Sequence, residues 1–181
     1  MRMITALLVG DRSIVMDDEG AQELYWKGFF GNPFTTPKPK KKEDVKAPLV
    51  LSPIETLYLV EKGIIEVIDV KSKKKVSLEE LWKVWGDEKM KMEYKVYKEL
   101  RDKGLVVKSG LKFGADFAVY EFGPGIDHAP FLVDVHSSDE KIDPSEMVRA
   151  GRVAHGVRKR FMLAIIKGEN VHHIVFKWYL P

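Results

Sequence analysis

No cysteine occurs in the 181 residues. That absence removes a disulfide framework, a thiolate nucleophile and the usual cysteine-ligated zinc site together. Side-chain amides are nearly missing as well: Gln22, Asn32 and Asn170 are the only ones, in a chain where 31% of residues are charged. A Lys/Glu-rich, amide-poor balance of this kind fits a heat-adapted source. No apolar run approaches the ~18 residues of a membrane span, and Met1 to Gly10 lacks a signal-peptide pattern, so a cytoplasmic protein is expected. Strong net charge is missing too. A formal charge of +3 with pI near 8.9 is only mildly basic, so a nucleic-acid ligand has to be argued from where the charges lie. What the chain does have is 45% hydrophobic residues, enough to bury a core.

The order of patterns predicts a mixed α/β (α+β) fold in two parts. Met3 to Val9 and Ser13 to Met16 read as strands around Gly10-Asp11, followed by a helix over Asp18 to Lys27. From about residue 28 to 52, glycines, prolines and the run Pro37-Lys38-Pro39-Lys40-Lys41-Lys42 oppose regular structure, giving a long basic loop. Ser52-Pro53-Ile54-Glu55 and Ser77-Leu78-Glu79-Glu80 are capping boxes, so helices begin at both, with a strand over Ile64 to Val70 between them. A fourth helix spans Asp87 to Lys103 and stops at Gly104. Strands then dominate: Leu105 to Lys108, Phe117 to Phe122, Phe131 to His136, Phe161 to Lys167 and Val171 to Tyr179. Among them lies one prominent helix from Asp143 to Lys159. A boundary near Lys103 divides an N-terminal α/β domain (1–103) from a C-terminal domain with a mixed sheet (104–181).

The prominent helix carries Met147, Ala150, Val153, Ala154 and Val157 as its apolar side. Arg149, Arg152 and Lys159 form a basic stripe that serves either as a solvated face near the negative helix end or as a phosphate-binding edge. Upstream, Lys112 to Tyr120 leads through a Gly-rich turn to His128. A strand-end tyrosine and a loop histidine are, taken singly, ordinary packing and surface residues. His172 and His173 are neighbours on a strand and point to opposite faces, so they do not share one metal; His136 and His155 have no partner fixed by the sequence.

Lys112 to Tyr120, His128, the strand Phe131 to Val135, and Arg152-Val153-Ala154-His155-Gly156-Val157-Arg158-Lys159 together resemble the catalytic domain of archaeal tRNA-intron (tRNA-splicing) endonucleases. The likeness is close over about the last eighty residues and loose before them. It implies a C-terminal nuclease domain whose catalytic residues are Tyr120, His128 and Lys159, with Arg152 helping to hold a flipped bulge nucleotide. A second family arginine belongs near the C terminus, where Lys177 and Trp178 stand instead. The resemblance further implies cleavage of precursor tRNA in bulge-helix-bulge RNA, with 2′,3′-cyclic phosphate and 5′-hydroxyl ends and no cofactor or metal. It also implies assembly, as a heterotetramer with a structural endonuclease subunit or as a homotetramer. The basic loop favours the heterotetramer, and its Lys38, Lys40, Lys41, Lys42 and Lys46 are expected to add RNA contacts.

The chemistry suits these residue types. Attack of a 2′-hydroxyl on phosphorus needs a base, a cation for the charge gathering on the phosphoryl oxygens, and an acid for the departing 5′-oxygen. Histidine titrates near neutrality and suits the acid, and lysine supplies compact charge. Tyrosine, with a reference pKa near ~10, needs cationic neighbours to act as base. Two alternatives remain: a non-catalytic structural or RNA-binding subunit of the same assembly, and a metal-dependent nuclease built on Asp134, Asp139, Glu140 and Lys141.

Overall fold

The structure, a computed structural model, describes residues 3–36, 39–126 and 130–176. Contacts divide the chain into two compact units, Met1–Met90 and Lys91–Pro181.

In the first unit, β1 (Ile4–Val9) and β2 (Arg12–Val15) form the expected hairpin. β1 also pairs in parallel with β5 (Ile65–Asp69). Ile4 and Ala6 point inward with Thr5 exposed between them, the alternation of a strand with one buried face. Helix α1 (Asp18–Gly28) starts where the Asp17 carboxylate accepts the Gly20 N–H at 2.7 Å. Helix α2 (Pro53–Glu61) starts on the expected capping box, and Glu55 does a second job there. One of its oxygens accepts the Ser52 N–H at 3.0 Å while the other accepts the Gly31 N–H at 3.0 Å, from the far side of the loop.

The loop carries more regular structure than expected. Asn32–Pro33 (β3) pairs with Leu49–Leu51 (β4), which adds two strands beside β2. Pro33 is tolerated because β3 is the edge of the sheet, ordered β3-β4-β2-β1-β5-β6. β6 (Lys75–Val76) closes the other edge, before α3 (Leu78–Trp85).

α4 (Glu88–Asp102) contains the division between the units, earlier in the chain than the expected Lys103. The reason is what α4 packs on. Tyr97 meets Phe117 with ring centroids 5.9 Å apart. Buried Arg101 donates from Nε to the Tyr97 hydroxyl at 3.1 Å and from Nη2 to the Val107 carbonyl at 3.1 Å.

The second unit is a five-stranded sheet ordered β11-β10-β9-β8-β7. Its strands are β7 (Val106–Ser109), β8 (Phe117–Tyr120), β9 (Phe131–Ser137), β10 (Arg160–Lys167) and β11 (Asn170–Phe176). Among the described residues of this sheet only β9 and β10 are parallel, and α5 (Pro144–Gly156) makes the crossover between them. The core under α5 is Ala118, Leu132, Ala154, Phe161 and Leu163, with Met147 and Ala150 packed against it. The apolar side of α5 is narrower than its composition suggested. Val153 and Val157 are 38% and 39% exposed, because Met147, Ala150 and Ala154 already fill the stripe that faces the sheet.

Candidate active site

The register of the second sheet gathers the site. Val119 of β8 lies opposite Phe131 of β9, and Phe131 lies opposite Arg160 of β10. The end of β8 and the beginnings of β9 and β10 therefore share one end of the sheet. Tyr120 and Lys159 stand there two strand spacings apart, roughly 10 Å between backbones. Tyr120 is half-buried and packs against the α5 core. Phe113 packs against the same core from a 3-10 turn (Leu111–Phe113) closed by Gly114, whose φ of 70° is left-handed. The Lys159 ammonium lies 5.4 Å from the Phe113 ring centroid and that of Lys112 lies 4.7 Å from it. An aromatic face thus supports two cations.

Lys159 does not ride on α5, which ends at Gly156 rather than at the expected Lys159. Past that point the Val157 N–H bonds to the Val153 carbonyl at 3.2 Å and the Lys159 N–H to the Ala154 carbonyl at 2.7 Å. Between them Arg158 has φ 56°. This left-handed residue turns the chain out of the helix and feeds it into β10. Lys159 is half-buried, whereas Arg158 and Arg160 are exposed. Arg160 lies 5.8 Å from the Phe131 ring centroid, and its N–H bonds to the Pro130 carbonyl at 2.8 Å.

A cavity of about 650 Å³ opens beside this turn, lined by Arg152, His155, Arg158, Lys159, Arg160 and Phe176 among others. The basic stripe expected along α5 is therefore split. Arg152 reaches the cavity, Lys159 leaves the helix, and Arg149 lies near Asp134. Burial raises the Asp134 carboxyl above its ordinary range, with the Asp116 charge adding to the rise. The Asp116 N–H, His136 and Arg149 oppose it. Asp134 and Asp116 are knitted by backbone bonds, Asp116 N–H to Asp134 at 3.2 Å and Val135 N–H to Asp116 at 2.8 Å. Asp139, Glu140 and Lys141 follow β9 on the surface, with Glu140 3.1 Å from His136 Nδ1. Among the described residues no three His, Asp or Glu side chains are grouped so as to hold a metal ion. His173 Nε2 lies 3.4 Å from Glu99, while its neighbour His172 is exposed.

The other expected residues fall elsewhere. Lys40, Lys41, Lys42 and Lys46 are exposed in the first unit. Their loop is tied down by Asp44, which accepts the Lys40 and Lys41 N–H groups at 2.9 and 3.1 Å. Those bonds hold the Asp44 carboxyl below its ordinary range. Gln22 donates to the Val45 carbonyl at 3.1 Å, the Ala47 N–H reaches Asp18 at 2.7 Å, and the Val45 side chain is fully buried. His128, Lys38, Lys177 and Trp178 lie outside the described residues. Sequence reasoning missed the Phe113 shelf, the left-handed Arg158 and the cavity-lining positions of His155 and Arg160. The Phe113-Gly114 pair was the one local signal, a ring before a turn residue.

Comparison with known proteins gives two family matches. The tRNA intron endonuclease catalytic C-terminal domain matches residues 90–173. The tRNA intron endonuclease N-terminal domain matches residues 4–82. A Hyperthermus butylicus protein named tRNA-splicing endonuclease is 48% identical over 183 residues, covering 99% of this chain and 100% of that protein. One from Saccharolobus solfataricus with the same name is 44% identical, covering 97% of this chain and 98% of that protein. A Saccharolobus islandicus protein, named likewise, is 43% identical with the same coverage.

Proposed function

The chain belongs to the tRNA intron endonuclease family, and from that premise we propose that it cuts precursor tRNA at intron–exon junctions in bulge-helix-bulge RNA, without metal. The observation that carries the reading is the convergence of Tyr120 and Lys159 on one sheet end, beside a cationic cavity. His128 falls between β8 and β9 in the sequence and outside the described residues, and its place in the reading rests on the family resemblance.

In this mechanism Tyr120 takes the proton from the attacking 2′-hydroxyl. Lys159 stabilises the charge that builds on the phosphoryl oxygens. His128 gives a proton to the departing 5′-oxygen. The new 2′-oxygen–phosphorus bond and the broken 5′-oxygen–phosphorus bond leave a 2′,3′-cyclic phosphate and a 5′-hydroxyl. A half-buried ammonium over an aromatic ring serves the middle role because charge interacts more strongly where water is partly excluded. Arg152 holds a bulge nucleotide beside the reaction. Bulges matter because splayed nucleotides reach the in-line geometry that a regular A-form helix denies. Lys38, Lys40, Lys41, Lys42 and Lys46 add phosphate contacts.

The working form is an oligomer, a heterotetramer with a structural subunit, and light scattering of the chain with and without a co-purified partner measures this. The roles are separated by a substrate whose 5′-oxygen leaving group is replaced by sulfur. A good leaving group hardly needs an acid, so His128→Ala should recover on it while Tyr120→Phe and Lys159→Ala remain slow. Equal recovery of all three variants would defeat the assignment. A non-catalytic subunit would show no cleavage under any of these conditions.

A further inference from the structure

We propose that Arg158 is a phosphate-positioning residue for the RNA strand beside Lys159, kept at its place in spite of an unfavourable backbone conformation. The inference rests on the ribonuclease reading above and adds a residue to it.

The end of α5 is a Schellman turn: the Lys159 N–H reaches back to the Ala154 carbonyl at 2.7 Å, around Arg158 at φ 56°. For a residue with a Cβ this conformation crowds the following carbonyl oxygen, so glycine usually takes the position. This chain uses glycine there elsewhere. Gly63 (φ 65°) follows α2 and Gly104 (φ 85°) follows α4. Helix α1 instead ends on Phe29 at φ 53°, and packing accounts for that choice: the ring is buried, 5.5 Å from Tyr25 and 6.0 Å from Trp26. Lys73, at φ 61°, tops the exposed turn between β5 and β6, so a positive φ alone marks no function.

Arg158 differs from both. Its side chain is exposed and has no burial to offset the backbone cost, yet it lines the same cavity as Arg152, His155, Lys159 and Arg160. The helix C-terminus favours one or two cations near it. The described residues that line this cavity include four cations, Arg152, Arg158, Lys159 and Arg160, and no carboxylate, so the cavity attracts an anion. A guanidinium grips a phosphate through two parallel N–H groups, a geometry that glycine removes and lysine cannot reproduce.

The test compares Arg158→Gly, Arg158→Ala and Arg158→Lys with wild type, using Lys159→Ala as control. RNA affinity is measured by fluorescence anisotropy across a salt series, cleavage by single turnover, and folding by thermal melting. The Gly and Ala variants should melt within a few degrees of wild type. Both should bind RNA about tenfold more weakly, with a salt slope smaller by about 0.7. The Lys variant should keep the slope and lose part of the affinity. Wild-type affinity and slope in the Gly variant would overturn the proposal, as would a loss confined to the Ala variant, which would assign the effect to the backbone. If the Gly and Ala variants fail to fold, the Lys variant decides, and wild-type affinity in it is the contrary result. If Lys159→Ala also cleaves normally, it is the ribonuclease site assignment that has failed.

Discussion

Two parts of this chain concentrate cationic side chains, and they are built differently. In the loop before β4, Lys40, Lys41, Lys42 and Lys46 all point into solvent. What is specific there is the anchoring: the carboxylates of Asp44 and Asp18 on backbone N–H groups, and buried Val45. At the end of α5 two of the cations stand against aromatic rings, Lys159 over Phe113 and Arg160 over Phe131. Lys159 is half-buried over Phe113, and Arg152, Arg158 and Arg160 ring a cavity. A fully hydrated charge interacts weakly and is screened by salt, whereas a partly desolvated one acts strongly over a few ångströms. On the proposed reading the loop serves binding and the turn serves chemistry.

The sharpest way to break this contrast is mutation at the turn. Tyr120→Phe, His128→Ala and Lys159→Ala should each slow single-turnover cleavage by ~10²- to 10⁴-fold, with folding and RNA affinity largely kept. Rapid cleavage by Lys159→Ala would erase the distinction between the two clusters. Replacing the five loop lysines, Lys38 included, by alanine should have a smaller and different effect. Affinity falls several-fold and the salt slope flattens by about 0.7 per lost phosphate contact, while the rate at saturating RNA is unchanged. A slowed chemical step in that variant would give the loop a role it lacks here.

Val45→Ala sharpens the claim that anchoring, not charge, shapes the loop. The buried side chain should cost about 1–2 kcal/mol of stability in denaturant titration, without altering cleavage by the folded enzyme. The smallest effect belongs to Asp134→Asn. Asp134 has its folded pKa raised, so the native state holds the proton more tightly than the unfolded chain. Its contribution is full below the ordinary carboxylate pKa and is lost as pH rises through the raised value. The asparagine variant should thus melt slightly higher than wild type at neutral pH, and this advantage should vanish in acid. A lower melting temperature at neutral pH would mean that the attraction to Arg149 and His136 outweighs burial.

Much of the fold was legible in the sequence because its signals are local. The capping boxes at Ser52 and Ser77 place α2 and α3, and Gly104 ends the run of α4. The two-residue strands β3 and β6 were not legible, since so short a segment has no period to read. The end of α5 was missed because an arginine holds a left-handed position that usually signals itself by glycine. Tyr120, His128 and Lys159 came from the order of motifs that resembles a family, not from any pattern of spacing. The neighbourhood of Tyr120 and Lys159 depends on the parallel pairing of β9 with β10. That register is a long-range property that no window of sequence contains.

The central claim is that side chains alone carry the cleavage. It is tested most directly by single-turnover cleavage of a bulge-helix-bulge RNA in excess chelator, with the ends of the products identified. The account predicts an undiminished rate, with 2′,3′-cyclic phosphate and 5′-hydroxyl ends. A rate that collapses in chelator and returns with Mg²⁺, or products with 5′-phosphate ends, would contradict it.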